Sequence, residues 1–130
     1  MRPRYEALFI RMRDADSDAA DAAFDAVLFD REGALPDLVE CYRKTKKDAI
    51  LRFLVVQLLG FSGTKAAVPT LLEALDDRDP VVRAEACRSL EDLKSVAAVD
   101  ALRARLDDMD DGVRVAAAEA IHIIEGGDAE

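Results

Sequence analysis

Side chains suited to chemistry are sparse in this sequence: one histidine, His122, and two cysteines, Cys41 and Cys87, against 27 acidic residues. A nucleophile–base pair needs Ser or Cys beside a histidine that a third group orients. No Ser or Cys stands at a spacing from His122 that suggests one, and zinc needs three or four ligands. The cysteines form no C-x-x-C and read as small buried thiols rather than a disulfide or a reactive centre. Asp107-Asp108-Met109-Asp110-Asp111-Gly112 puts Gly at the sixth position of a calcium loop. Met109 takes its third ligand position, however, and Ala118 its twelfth, where a bidentate Glu is required. Asp14-x-Asp16-x-Asp18 has no Gly after it, and both stretches read as solvated turns and helix caps. Gly60-Phe61-Ser62-Gly63 reads as a helix terminus rather than a phosphate loop. These residues predict no catalytic site, no metal and no cofactor, hence a chain that is not an enzyme.

Two cationic features remain. Arg52, Arg83 and Arg114 recur at a 31-residue interval, and Asp79 and Asp110 keep the same interval. The expected role is a structural ladder in which each planar guanidinium satisfies turn carbonyls or the Asp79 and Asp110 carboxylates. Arg43-Lys44-x-Lys46-Lys47 is the one basic cluster. It reads as a solvated turn between helices, with contact to an acidic partner or to another copy's acidic C-terminal half as the alternative.

The elements that position these groups follow from composition and periodicity. The chain has 130 residues, 51% hydrophobic and 35% charged, which suits one packed domain. Aromatic residues make up only 5%, with no Trp, and alanine is abundant, so helices are favoured over strands. No apolar run reaches membrane-spanning length, and the opening residues lack a signal-peptide stretch, so a cytoplasmic protein is expected. A net charge of −9 argues against nucleic acid or an anionic membrane as ligand. The charge is uneven: residues 34–65 carry +3 and residues 97–130 carry −6.

An internal repeat organises the chain. AAVPTLLEALDDRDPVVRAEACRSLEDLKSV (66–96) aligns without a gap on AAVDALRARLDDMDDGVRVAAAEAIHIIEGG (97–127). Identities include Leu71/Leu102, Leu75/Leu106, Asp77/Asp108, Asp79/Asp110, Val82/Val113, Arg83/Arg114 and Ala86/Ala117. In each unit two apolar sets recur at three- and four-residue spacing, which predicts two amphipathic helices joined by an acidic turn. Asp79-Pro80 is an N-cap followed by proline at the first helical position, and Asp110 repeats the cap. Thr64 and Ser95 stand at the expected caps of the first helices, and Gly126-Gly127 ends the last. A third unit spans 34–65, its turn two residues longer, with Thr45-x-x-Asp48 as a capping box. Residues 1–33 predict a divergent helix pair, Arg4–Arg13 and Ser17–Phe29. Breaks are expected near 14–17, 30–34, 43–47, 61–65, 76–79, 93–96 and 107–111.

The A-x-P-x-L-x-x-L-x-D-x-x-x-x-V-R-x-x-A-x-x-x-L pattern resembles the HEAT-like repeats, most closely the short type of the phycobiliprotein lyase subunits. The resemblance implies an all-α, right-handed α-α superhelix of about eight helices in four hairpins. It also implies that the second helices line a concave surface that binds other macromolecules.

Positions that vary between repeats are the ones that packing leaves free. On the second helices these are Leu54, Leu58 and Phe61, then Glu85, Arg88, Ser89 and Asp92, then Glu119, His122 and Ile123. They form the expected protein-binding surface, part acidic and part apolar. The Leu54/Leu58/Phe61 stripe is either exposed for a ligand or covered by the N-terminal hairpin, with covering favoured. The expected function is a non-catalytic adaptor for a basic or mixed-charge protein, with self-association possible. The alternatives are an immunity- or antitoxin-type inhibitor of a basic partner and an accessory subunit of a modifying enzyme.

Overall fold

The computed structural model describes residues 1–126, and these fold into four helix pairs. The pairs are α1 (Pro3–Arg11) with α2 (Ser17–Phe29), α3 (Leu35–Lys44) with α4 (Ala49–Phe61), α5 (Val68–Ala74) with α6 (Pro80–Asp92), and α7 (Val99–Ala104) with α8 (Asp111–Ile124). Short 3-10 turns at Lys65–Ala67 and Val96–Ala98 lead into α5 and α7, and another at Arg105–Asp107 closes α7. No strand occurs among the described residues. The chain breaks fall where the sequence periodicity places them.

Capping explains the breaks. Asp48, Asp79 and Asp110 stand with extended backbone before α4, α6 and α8. Their carboxylates accept from Leu51 N (3.0 Å), Val81 N (2.8 Å) and Val113 N (3.1 Å). Each satisfies a donor that has no partner within its helix. Thr64 caps the turn before α5 through Ala66 N at 3.2 Å. Ser95 holds the equivalent position but makes no side-chain cap bond. Thr45 ends α3 rather than opening a capping box, because the longer turn leaves Asp48 immediately ahead of α4. Gly126, at φ +84°, terminates α8, while Gly127 lies outside the described residues.

The pairs stack as a right-handed α-α solenoid. Each second helix packs on its own first helix, and α4, α6 and α8 lie side by side in extensive contact. Val55, Ala86 and Ala117 are buried between these layers, as are Leu59, Leu90 and Ile121. Tyr5, Phe9, Met12 and Val27 form the core of the divergent first pair. Both cysteines are buried and free, and burial pushes each thiol up to about 11. Helices α4 and α6 approach closely at one point. A Cβ on Gly60 would lie 2.5 Å from Ser89 Oγ, and that hydroxyl donates to Val56 O at 3.0 Å.

Candidate functional site

The ladder exists, but its acceptors are not those expected. Arg52 donates to both carboxylate oxygens of Asp77 (2.9 and 3.1 Å) and to the Thr45 and Lys46 carbonyls (3.1 and 2.8 Å). Arg83 repeats the arrangement one unit on, reaching both oxygens of Asp108 at 2.9 Å and Asp77 O at 2.8 Å. Each guanidinium thus ties the turn of its own repeat to the turn of the next. Asp79 and Asp110 are not rungs, since their carboxylates face their own helix starts as caps. Asp77 and Asp108 recur at the repeat interval as faithfully as those caps do, so the signal was present. Arg114 bonds to Asp108 O at 2.5 Å and pairs with Asp111. Its side chain is 40% exposed, against 6% for Arg52 and 15% for Arg83, so it is not an enclosed rung.

Asp77 is closed in on all sides. Burial alone would raise its pKa, but the bonds from Arg52, the Asp79 amide and the Tyr42 hydroxyl outweigh that and hold it below the carboxylate range. The bond from Arg83 does the same for Asp108 against a smaller burial penalty. Such satisfied, bidentate pairs stabilise the scaffold and leave little capacity for a ligand.

The candidate surface lies on the face that α4, α6 and α8 turn away from the first helices. Structure divides the sequence-predicted set. Leu58 is 0% exposed, Ser89 1% and Glu85 7%, so these three belong to the interior and not to a contact surface. Tight packing of α4 on α6 causes this, with Ser89 seated against Gly60 and Glu85 bonded to Arg88 Nε at 3.1 Å. Arg88, Asp92, Glu119 and His122 are exposed, and Ile123 is half-buried. Of the apolar stripe, the N-terminal hairpin covers part: Leu54 is half-buried in a cleft of about 290 Å³ with Met12, Phe24, Asp21 and Gln57. Phe61 remains 41% exposed.

Sequence reasoning missed the first turns of these helices. Ile50, Val81 and Val115 are exposed on this face, and Phe53 is half-buried. Their period matches that of the core, so only packing distinguishes them from it. On α6 and α8 the face therefore has apolar side chains nearer the helix starts and acidic ones nearer the ends, whereas α4 keeps the exposed Phe61 at its end. Burial raises the pKa of Glu85, Glu91 and Asp92, and Asp92 and Glu119 raise that of Glu91 further. Among the described residues, Glu91, Asp92 and Glu119 take part in no ion pair. Among the described residues, no group of three or more His, Cys, Asp or Glu could hold a metal ion, and no helix is long and apolar enough to cross a membrane.

With this geometry in place, comparison with known proteins adds three findings. The sequence matches the profile of the HEAT repeats over residues 35–122. The human deoxyhypusine hydroxylase structure, in complex with glycerol, is 28% identical with a TM-score of 0.70, over 93% of this chain and 43% of that one. The complex of CpcE and CpcF of phycocyanin lyase from a Nostoc species is 19% identical with a TM-score of 0.55, over 95% of this chain and 66% of that one. No protein of curated function matches at significance. The chain thus spans less than two thirds of either similar structure.

The hydroxylase overturns the expectation that this chain is not an enzyme. That expectation rested on the lack of short catalytic motifs. A solenoid brings residues together from separate repeats, so short-range spacing is a poor guide to its chemistry.

Proposed function

Because the chain belongs to the HEAT-repeat family, we propose that it is a protein-recognition module whose partner docks on the outward face of α4, α6 and α8. The observation that carries this reading is the pairing of exposed apolar side chains with carboxylates that form no ion pair among the described residues. Ile50, Phe61, Val81 and Val115 stand on the same face as Glu91, Asp92 and Glu119. A rigid solenoid presents that face already formed, so little ordering opposes association. The carboxylates steer a basic or mixed-charge partner towards it.

The test is a tagged pull-down from the native cell, followed by hydrogen exchange on the captured complex. Protection along α4, α6 and α8 is the expected result. Reversing Asp92 and Glu119 to Lys should slow association without lowering the melting temperature. Unchanged association after both reversals, or binding of a small molecule with no macromolecule, overturns the reading.

A second reading, an accessory unit of a modifying enzyme, is favoured by the similarity to the hydroxylase. The two readings separate on whether the captured partner's turnover falls when the chain is withdrawn.

A further inference from the structure

The outward face is not uniform, and α4 is its most apolar element. Ile50, Leu54, Gln57 and Phe61 follow one another at three- and four-residue steps with Phe53 beside them, so a single stripe runs the length of that helix. At the corresponding positions α6 carries Val81, Ala84, Glu85, Arg88 and Asp92. Carboxylates stand on both sides of the stripe. On one side Asp18, Asp21 and Asp25 form an exposed row on α2, and Asp21 shares the cleft with Leu54 and Gln57. On the other side, the seating of Ser89 against Val56 and Gly60 fixes the register of α6 on α4. That register sets the exposed Asp92 beside the Phe61 end of the stripe. Residues 14–30 contain six aspartates and no lysine or arginine.

We infer that the stripe of α4, walled by the carboxylates of α2 and α6, seats the apolar face of a basic amphipathic helix from the partner protein. This rests on the protein-recognition reading and names the chemistry of the partner. An extended segment fits poorly, because its unpaired N–H and C=O groups would face an apolar floor of helical side chains. A helix satisfies its own backbone and presents apolar residues at the same period as the stripe. Its flanking lysines and arginines then reach the walls on both sides. The partner's cations would also offset the partial desolvation that raises the Asp92 pKa in the free chain.

The experiment measures fluorescence anisotropy of three synthetic peptides with the full chain. These are a Lys/Leu amphipathic helix, a scramble of the same composition, and a Glu/Leu helix. The Lys/Leu helix should bind at least about tenfold tighter than the scramble, and the Glu/Leu helix should not bind. Ile50→Ser and Phe61→Ser, both at exposed positions, should each weaken the Lys/Leu helix by about tenfold with circular-dichroism melting unchanged. Asp21→Asn with Asp25→Asn should flatten the salt dependence. Equal binding of helix and scramble, or indifference to both serine variants, would mean non-specific attraction to an acidic chain and overturn the inference. Self-association abolished by the serine variants would give the stripe to a second copy and overturn it too. A captured partner that protects α6 and α8 but not α4 sinks the inference and leaves the recognition reading standing.

Discussion

At the scale of single residues, arginine and aspartate divide two tasks. Arg83 is a rung, and removing it leaves the buried Asp108 carboxylate without its bidentate partner. Arg83→Ala should therefore cost about 3 kcal/mol in urea denaturation. Asp79→Ala removes only a cap and should cost about 1 kcal/mol. If the two losses proved equal, the separation of rung from cap would fail. The pH dependence has two signs. Asp77 and Asp108 have folded pKa values below their unfolded ones. Their stabilisation is full above the ordinary carboxylate pKa of about 4 and is lost as pH falls through the lower folded value. Glu85, Glu91 and Asp92 are shifted up, so they oppose folding at neutral pH, and protonating them in mild acid relieves it. Stability should pass through a maximum below neutrality before collapsing in stronger acid. Asp92→Asn should raise the melting temperature at neutral pH and shrink the rise on mild acidification; a lowered melting temperature at neutral pH would contradict the assigned sign.

At the scale of elements, the contact between α4 and α6 is the tightest feature. Gly60 faces Ser89 so closely that an added Cβ would meet the serine Cβ at 2.7 Å and its Cα at 2.9 Å. Alanine normally favours a helix by about 1 kcal/mol over glycine. Overpacking should reverse that here, and Gly60→Ala should destabilise by about 2 kcal/mol. Ser89→Gly in the same chain should recover only part of the loss, since the backbone of α6 still lies within reach. A stabilised Gly60→Ala variant would show that the helices can separate freely.

For the molecule as a whole, stability and recognition compete on one face. Partly buried carboxylates that form no ion pair weaken the free chain and strengthen the long-range field that attracts a basic partner. Replacing Glu91, Asp92 and Glu119 together by their amides should raise the melting temperature. The same variant should slow association, and the difference from the parent should vanish as salt screens the field. Dissociation should change far less. A variant that is more stable and associates at the parent rate would separate the two properties and remove the electrostatic part of the recognition reading.

Helix identity, helix boundaries and the stacked-repeat architecture could be read from the sequence, because each depends on local signals repeated at a fixed interval. Asp79 and Asp110 mark helix starts through bonds to their own backbone neighbours, and the 31-residue period marks the stacking; at α4 the sequence pattern pointed to Thr45, and the cap is Asp48. Arg52 and Arg83 were legible as a ladder for the same reason. Their partners were not, since choosing Asp77 and Asp108 over Asp79 and Asp110 requires knowing which carboxylate turns back onto its own helix. Likewise Leu58, Glu85 and Ser89 vary between repeats just as Phe61, Arg88 and Asp92 do, yet the first three are interior and the others exposed. Variation reports that the scaffold tolerates different side chains, whereas exposure depends on the distance to the neighbouring helix. That distance is set by packing between residues far apart in the chain, such as Gly60 and Ser89, and only the tertiary structure decides it.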